Sequence, residues 1–556
     1  MLKIYTLLPL VMVLAVVWPE SGAALFACAE RWLKWFAASN RRAVATAGLL
    51  SLSVNIALTL VLGVPVPKVN DEFSHLLLAD TLAHGRLTNP PHPLWVHFES
   101  CHIIQQPTYA SKYPVGQGLA LALGQVTCGH PIVGVWVSTA AACAALCWML
   151  LAFVPRPWAL LGGVLAAFHP ELAFQWGQGY WGGAVPMTGG ALALGALRRI
   201  TESAGTRAGL WLGLGLAILA NSRPYEGLIL SLPILAVLLG WMVRQRRTNG
   251  RAAVLKTGLP VAGVLAATAL LMGYYNFRVT GSPWRLPYQV HEATYGAAPL
   301  FVWQKLGPEP VYNHEAMRSF HVDWWRVTYR QHQSFGGLLS READKLYILG
   351  QGYSWSLLLV FPFIALPRIL RKDRWTRFAL LTGILCVLAL LPITWLYTHY
   401  AAPAAGLFFL LVVQSMQELR NWPWRGRPTG AFLVHGILVL CTLSFVLIVM
   451  RHATAPKDGW QFQRARLMEQ LEQDHGKHLV IVRYQPGHNA HREWVYNAAD
   501  IANARVTWAR EMTTGRNRRL LDHFKDRHAW LLEADLPQPT LVPYPRPQVE
   551  VRRKAP

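Results

Sequence analysis

"YPVGQGLALALGQVTCG", residues 113–129, decides how the whole chain is threaded. Its apolar run could cross a membrane or lie along one. Around it stand apolar spans near 43–63, 131–153, 158–170, 183–198, 208–221, 227–243, 253–273, 354–370, 378–397, 402–417 and 430–450. Basic clusters lie between them: Arg31 to Arg42, Arg156, Arg198 and Arg199 with Arg207, Arg244 to Lys256, Arg368 to Arg377, and Arg420 to Arg427. Positive charge in short loops marks the cytoplasmic side. If 113–129 crosses, Arg156 falls outside and every later cluster reverses. If it lies in the outer interface, all the clusters face inward. The second threading is the consistent one. It gives about twelve crossings, or eleven if the N-terminal hydrophobic segment does not cross.

Composition agrees with a polytopic helical membrane protein. The chain has 556 residues, is 53% hydrophobic and only 15% charged, where soluble chains are about 25% charged. Its mean hydropathy is +0.25. Apolar runs of roughly 18 residues, enough to span about 30 Å of hydrocarbon, recur through the first 450 positions. The net charge of +23 is accounted for by topology, so no nucleic-acid partner is expected. The first 18 residues read as a retained helix, because no small-x-small cleavage site follows them. Among seven cysteines, only Cys101 and Cys128 fall in the expected exterior loop, where a bridge between them is one option.

Three regions follow. Residues 1–42 form an N-terminal hydrophobic segment and a basic cytoplasmic amphipathic stretch. Residues 43–450 form the transmembrane core, with exterior loops 64–130 and 274–353. Residues 451–556 form a polar extracytoplasmic tail. In that tail 478–484, 504–511 and 529–535 read as strands and 517–524 as helix, a small α/β domain of roughly 100 residues. It has no nucleotide-binding glycine pattern.

The short turns of the outer side are rich in acids, aromatics, His and Arg, whereas the inner loops hold mostly Lys and Arg. This asymmetry points to an active outer face. Directly after the first core span stands "NDEFSHLLLADTLAHG" (70–85). Asp71 and Glu72 open this helix, where anions are stabilised. They are either caps or a general base that takes a proton from an acceptor hydroxyl, with Glu72 orienting an acceptor or binding metal. Lys112 either snorkels or holds a lipid phosphate. In "NSRPYEG" (221–227), Arg223 pairs with Glu226 to close a turn, or offers its planar fork to phosphate. Tyr225 stands beside them. Tyr113, His399 and Tyr400 fit an interfacial aromatic belt or a substrate pocket. Tyr180 and Trp181 offer rings to a sugar. His92, His97 and His102 lack the spacing of a compact helical metal pair, so no cofactor is assigned, and a divalent metal stays open.

Taken together, Asp71-Glu72 after an early span, "SKYPVGQG" (111–118) opening an interfacial helix, and the turns 180–183 and 399–403 resemble the GT-C superfamily of membrane glycosyltransferases. The resemblance, over roughly 43–450, is to the branch holding the bacterial aminoarabinose transferase and its protein O-mannosyltransferase relatives. It implies a polyprenyl-phosphate sugar donor used on the outer face of the cytoplasmic membrane, and a lipid, glycan or protein acceptor. It implies Asp71 as catalytic acid group and Lys112 near the lipid phosphate. Relatives often carry Lys-Pro-Pro where this chain has Lys112-Tyr113-Pro114. Two other classes compete: a transporter or lipid flippase, and a non-catalytic scaffold with an exterior binding domain. A transporter needs ionisable groups near the bilayer midplane, and the span interiors are almost free of them. The transferase requires one cavity shared by Asp71, Lys112, Arg223 and His399.

Overall fold

A computed structural model describes residues 4–247, 250–355, 357–423 and 426–545. The first three residues, parts of the basic clusters at 244–256 and 420–427, and the end of the 451–556 tail lie outside the described residues. The chain is a multi-pass helical membrane protein with a small strand-and-helix unit at its C-terminal end. Among the described residues, six helices are long and apolar enough to cross a membrane: Asn40–Leu62, Pro131–Leu150, Pro224–Gln245, Arg251–Thr280, Thr398–Arg420 and Thr429–Ala453. Shorter helices, among them Arg156–Ala167, Ala184–Glu202, Thr206–Ala220 and Arg374–Leu390, pack between them.

The 113–129 stretch forms the helix Val115–Cys128, 14 residues in all. At 1.5 Å per residue it is about 21 Å long, short of the ~30 Å hydrocarbon. Leu119, Leu123 and Val126 on it are exposed. It is pressed onto Pro131–Leu150 by small residues. A methyl group on Gly134 would lie 2.0 Å from the carbonyl oxygen of Ala120.

One expected span is different. Residues 354–370 hold a bend, a 3-10 turn Phe361–Ala365 and a short helix Leu366–Lys372. Pro362 and Pro367 remove amide donors and crowd the preceding turn, and Trp355 and Leu357 take positive φ. The segment therefore folds in pieces rather than as one helix.

The C-terminal sheet has the order Val506–Arg510, His478–Arg483, His528–Glu533, Leu541–Pro543. The first three strands pair in parallel and the last is antiparallel. The helix Thr514–His523 connects Val506–Arg510 to His528–Glu533, as expected from sequence. This unit shares a core with the loop after residue 70. Phe73, Leu77, Phe98, Ile103 and Tyr109 pack with Leu479, Ile481 and Tyr496. The Phe73 and Tyr496 rings stack at 4.1 Å. Arg510 and Glu493 pair at 2% and 1% side-chain exposure, and Arg510 Nε donates to the Glu99 carbonyl at 2.8 Å. Cys101 and Cys128 are both free, the first buried and the second exposed.

Candidate active site

The helix Asn70–Ala83 starts where the chain leaves the first core span. Consecutive residues on a helix point about 100° apart, and this separates the two acids. Glu72 turns inward and is 1% exposed. Its Oε2 accepts from the amides of Lys68 at 2.8 Å and Val69 at 3.2 Å. Its Oε1 accepts from the amide of Tyr180 at 2.9 Å. Burial raises its carboxyl above the usual range, while the amides of Lys68 and Tyr180 pull it back. Glu72 thus caps its own helix and ties it to the 177–183 turn. It does not line the cavity described below, which corrects its expected place beside the chemistry.

Asp71 faces the other way, into a cavity of about 360 Å³, within the roughly 300–1,000 Å³ range of small-molecule sites. Its Oδ1 accepts from the Tyr113 hydroxyl. Its Oδ2 has His102 Nε2 at 3.8 Å, beyond hydrogen-bond length. Tyr113 therefore fixes the carboxylate and leaves one oxygen toward the cavity. His102 takes a left-handed backbone, φ 66, uncommon for a residue other than glycine. Its carbonyl is held by Ser74 Oγ at 2.7 Å and the Lys112 amide at 3.3 Å. Burial, then Lys112, His291 and His321, keep the His102 ring well below histidine's ordinary range. The ring is neutral at pH 7, and Asp71 has no ion pair with it.

Three cations line the cavity: Lys68, which is exposed, and Lys112 and Arg223, which are ion-paired. Lys112 is 2% exposed and lies 3.4 Å from Glu292 Oε1. Its ammonium is 5.0 Å from the Trp325 ring and 5.1 Å from that of Tyr288. Burial pushes the Glu292 carboxyl up, but Lys112 and His291 pull it down further, to about 2. Arg223 lies over the Tyr400 ring at 3.9 Å and 3.4 Å from Glu226. Both ion pairs are longer than the 2.7–2.9 Å of a tight charge-assisted bond. The carboxylate partners therefore hold the two cations loosely. The turn carrying His399 and Tyr400 comes close because Gly190 has no side chain. A methyl there would meet the Pro403 carbonyl at 1.9 Å.

Asp71, Lys112, Arg223 and His399 line this one cavity, the arrangement that the transferase reading requires. Tyr113, Trp181, Tyr225, Glu226 and Tyr400 line it too. Tyr180 does not. It is 3% exposed, and its hydroxyl donates to the Pro65 carbonyl at 2.9 Å. It braces the turn and offers no ring to a ligand, a second correction. Sequence reading passed over Asn70, His75, Tyr288, Trp324, Trp325, Trp395 and His491, all of which line the cavity. The four aromatics at 288–395 come from the long loop and from the end of 378–397, which carry no recognisable motif. His491 comes from the tail, in "GHNAHREW" (487–494), whose pair of histidines was the available signal. Among the described residues no group of three His, Cys, Asp or Glu side chains is placed to hold a metal ion.

No protein-family model matches the chain, and no curated protein matches it. Among solved structures it is similar to ArnT from Cupriavidus metallidurans, at 10% identity and TM-score 0.48. The apo ArnT match covers 87% of this chain and 92% of that one. The match to ArnT bound to undecaprenyl phosphate covers 81% and 84%. It is also similar to the Archaeoglobus fulgidus oligosaccharyltransferase tethered with an acceptor peptide, at 11% identity and TM-score 0.41, over 85% of this chain and 64% of that one.

Proposed function

We propose that the protein is an integral membrane glycosyltransferase. It moves a sugar from a polyprenyl-phosphate-linked donor to an acceptor hydroxyl, with inversion, on the extracytoplasmic face of the cytoplasmic membrane. The observation that carries this reading is a single cavity that combines one half-free carboxylate, Asp71, with two cations, Lys112 and Arg223. That set suits displacement at an anomeric carbon. The donor phosphate lies between Lys112 and Arg223, and its lipid tail runs into the membrane beside Arg251–Thr280. Met272, Tyr275 and Asn276 of that helix line the cavity.

The acceptor oxygen attacks the anomeric carbon from the side opposite the phosphate. The carbon–oxygen bond to the phosphate breaks, and its electron pair leaves with polyprenyl phosphate. Asp71 Oδ2 takes the hydroxyl proton. Lys112 and Arg223 stabilise the charge that grows on the leaving oxygen, the electrostatic contribution that is usually largest. A phosphate leaves readily, so no strong general acid is needed. The test is release of polyprenyl phosphate from a panel of polyprenyl-phosphate sugars by purified full-length protein, with Asp71→Asn alongside. Wild type turns over at least one donor, and Asp71→Asn loses about 10²–10⁴-fold. Near wild-type turnover in Asp71→Asn removes it as the base. No turnover of any donor by wild type overturns the transferase reading.

A further inference from the structure

One wall of the cavity is built differently from the rest. From Lys112 the aromatic rings continue without a break. Trp325 is 5.0 Å from the ammonium, Trp395 is 4.6 Å from Trp325, Trp324 is 6.1 Å from Trp395, and His491 is 4.5 Å from Trp324. The charged side chains that line the cavity are Lys68, Asp71, Lys112, Arg223 and Glu226. None of them lies on the stretch from Trp395 to His491. The wall reaches the base through Phe320, whose ring is 5.4 Å from His491 and 5.3 Å from His102. His102 in turn is 3.8 Å from Asp71.

This surface has hydrogen-bonding capacity to spare. The indole nitrogens of Trp325 and Trp395 are buried without a hydrogen-bond partner, and Trp325 is only 7% exposed. An indole N–H left unpaired in a buried place costs free energy, and a ligand oxygen pairs with either nitrogen once the ring turns it toward the cavity. The His491 ring makes no hydrogen bond to a described residue, and it is exposed.

A neutral, ring-rich wall with two unpaired N–H donors just beneath its surface fits one ligand class well. A pyranose ring has an apolar C–H face that packs on an aromatic ring and an edge of hydroxyls that accept from N–H groups. A phosphorylated acceptor would need a cation here, and a serine or threonine side chain is too small to cover such a wall. The Lys112 end of the wall belongs to the phosphate and donor sugar, and the His491 end lies away from the cations. Resting on the transferase reading, we propose that the acceptor is a neutral saccharide whose ring packs against Trp324 and His491, so that the C-terminal unit builds half of the acceptor site. The step is the one above: a saccharide hydroxyl oxygen bonds to the anomeric carbon, polyprenyl phosphate leaves with the electron pair, and the proton goes to Asp71.

The test uses full-length protein and whichever polyprenyl-phosphate sugar wild type turns over. The acceptor probes are alkyl disaccharides, a serine/threonine peptide and a phosphorylated glycolipid. Transfer to an alkyl disaccharide is expected. His491→Ala and Trp324→Ala should each raise the disaccharide KM at least tenfold, with donor KM within threefold. Trp324→Phe, which keeps a ring, should restore most of it. His491 is exposed, so its variant reports on binding rather than on folding. Transfer to the peptide or phosphorylated lipid alone overturns the proposal, as does an unchanged disaccharide KM in both alanine variants. If wild type releases polyprenyl phosphate to water but glycosylates no disaccharide, the saccharide assignment fails and the transferase reading stands. If wild type consumes no donor, both fall.

Discussion

Glu72→Ala is the perturbation that best separates scaffold from chemistry at this site. Its carboxylate takes three backbone N–H groups, from Lys68, Val69 and Tyr180. Hydrogen bonds to a charged group contribute about 1.5–3 kcal/mol each, which sets a gross loss of roughly 4.5–9 kcal/mol. Removing the acid also removes the cost of keeping a charge at 1% exposure, several kcal/mol per ion. The net destabilisation is then about 3 kcal/mol. Glu72→Gln retains one acceptor oxygen and sets an amide N–H₂ against at least one backbone N–H, so it should cost about half as much. The assay is the thermal midpoint of purified protein in one detergent at one scan rate, since unfolding of a protein this large is governed by rate. The order should be wild type, Asp71→Asn, Glu72→Gln, Glu72→Ala, with Asp71→Asn within a degree of wild type. A Glu72→Ala midpoint equal to wild type would refute the bracing role. So would a large drop in Asp71→Asn with none in Glu72→Ala.

Other outcomes follow from the same geometry. Lys112→Met or Arg223→Met should lower donor turnover about 10²–10³-fold, the usual cost of one oriented electrostatic donor, measured as polyprenyl phosphate released. Arg510→Met leaves Glu493 buried and unpaired, which costs about 3–5 kcal/mol. Limited proteolysis should then cut near 451–460 faster than in wild type. Glu292 has a folded-state pKa depressed to about 2, so it contributes stability above its unfolded value near 4.5 that is lost as pH falls toward 2. Glu292→Gln should flatten the acid limb of a stability profile between pH 5 and 2. Gly190→Ala would drive a methyl into the Pro403 carbonyl. Overpacking of this kind costs about 1–3 kcal/mol and should show as a lower thermal midpoint.

How much of this was legible depended on the scale at which each signal is written. Apolar length is one-dimensional, so the short helix within 113–129 and most of the other helices could be read directly. Three of the four strands of the tail could be read too, because a short apolar run is a local signal; Leu541–Pro543 was missed. Asp71 and Glu72 could be found but not told apart, since their roles differ only by the direction each takes from the helix. Tyr180 and Trp181 pose the same problem: one faces Pro65 and the other the cavity. The broken 354–370 segment was misread because its apolar content outweighs Pro362 and Pro367 in any window average. The aromatic wall was invisible, because Trp324, Trp395 and His491 meet only through tertiary packing. The tail looked separate because its polarity changes abruptly at 451, although its core is shared with residues 73–109.

That shared core sets a timetable for biosynthesis. Ser100 and the Val495 carbonyl it bonds are 395 positions apart, and His97 and Arg510 are 413 apart. At about 5–20 residues per second, the loop that carries His102 and Lys112 waits roughly 20–80 s after emerging before its partner strands exist. Until then Phe73, Phe98 and Ile103 lack the tail residues that complete their core, and the cavity lacks His491. A ribosome that stops short of the last strands would therefore leave an inserted bundle with an unfinished, sticky surface. Membrane quality control would meet this intermediate during every round of synthesis.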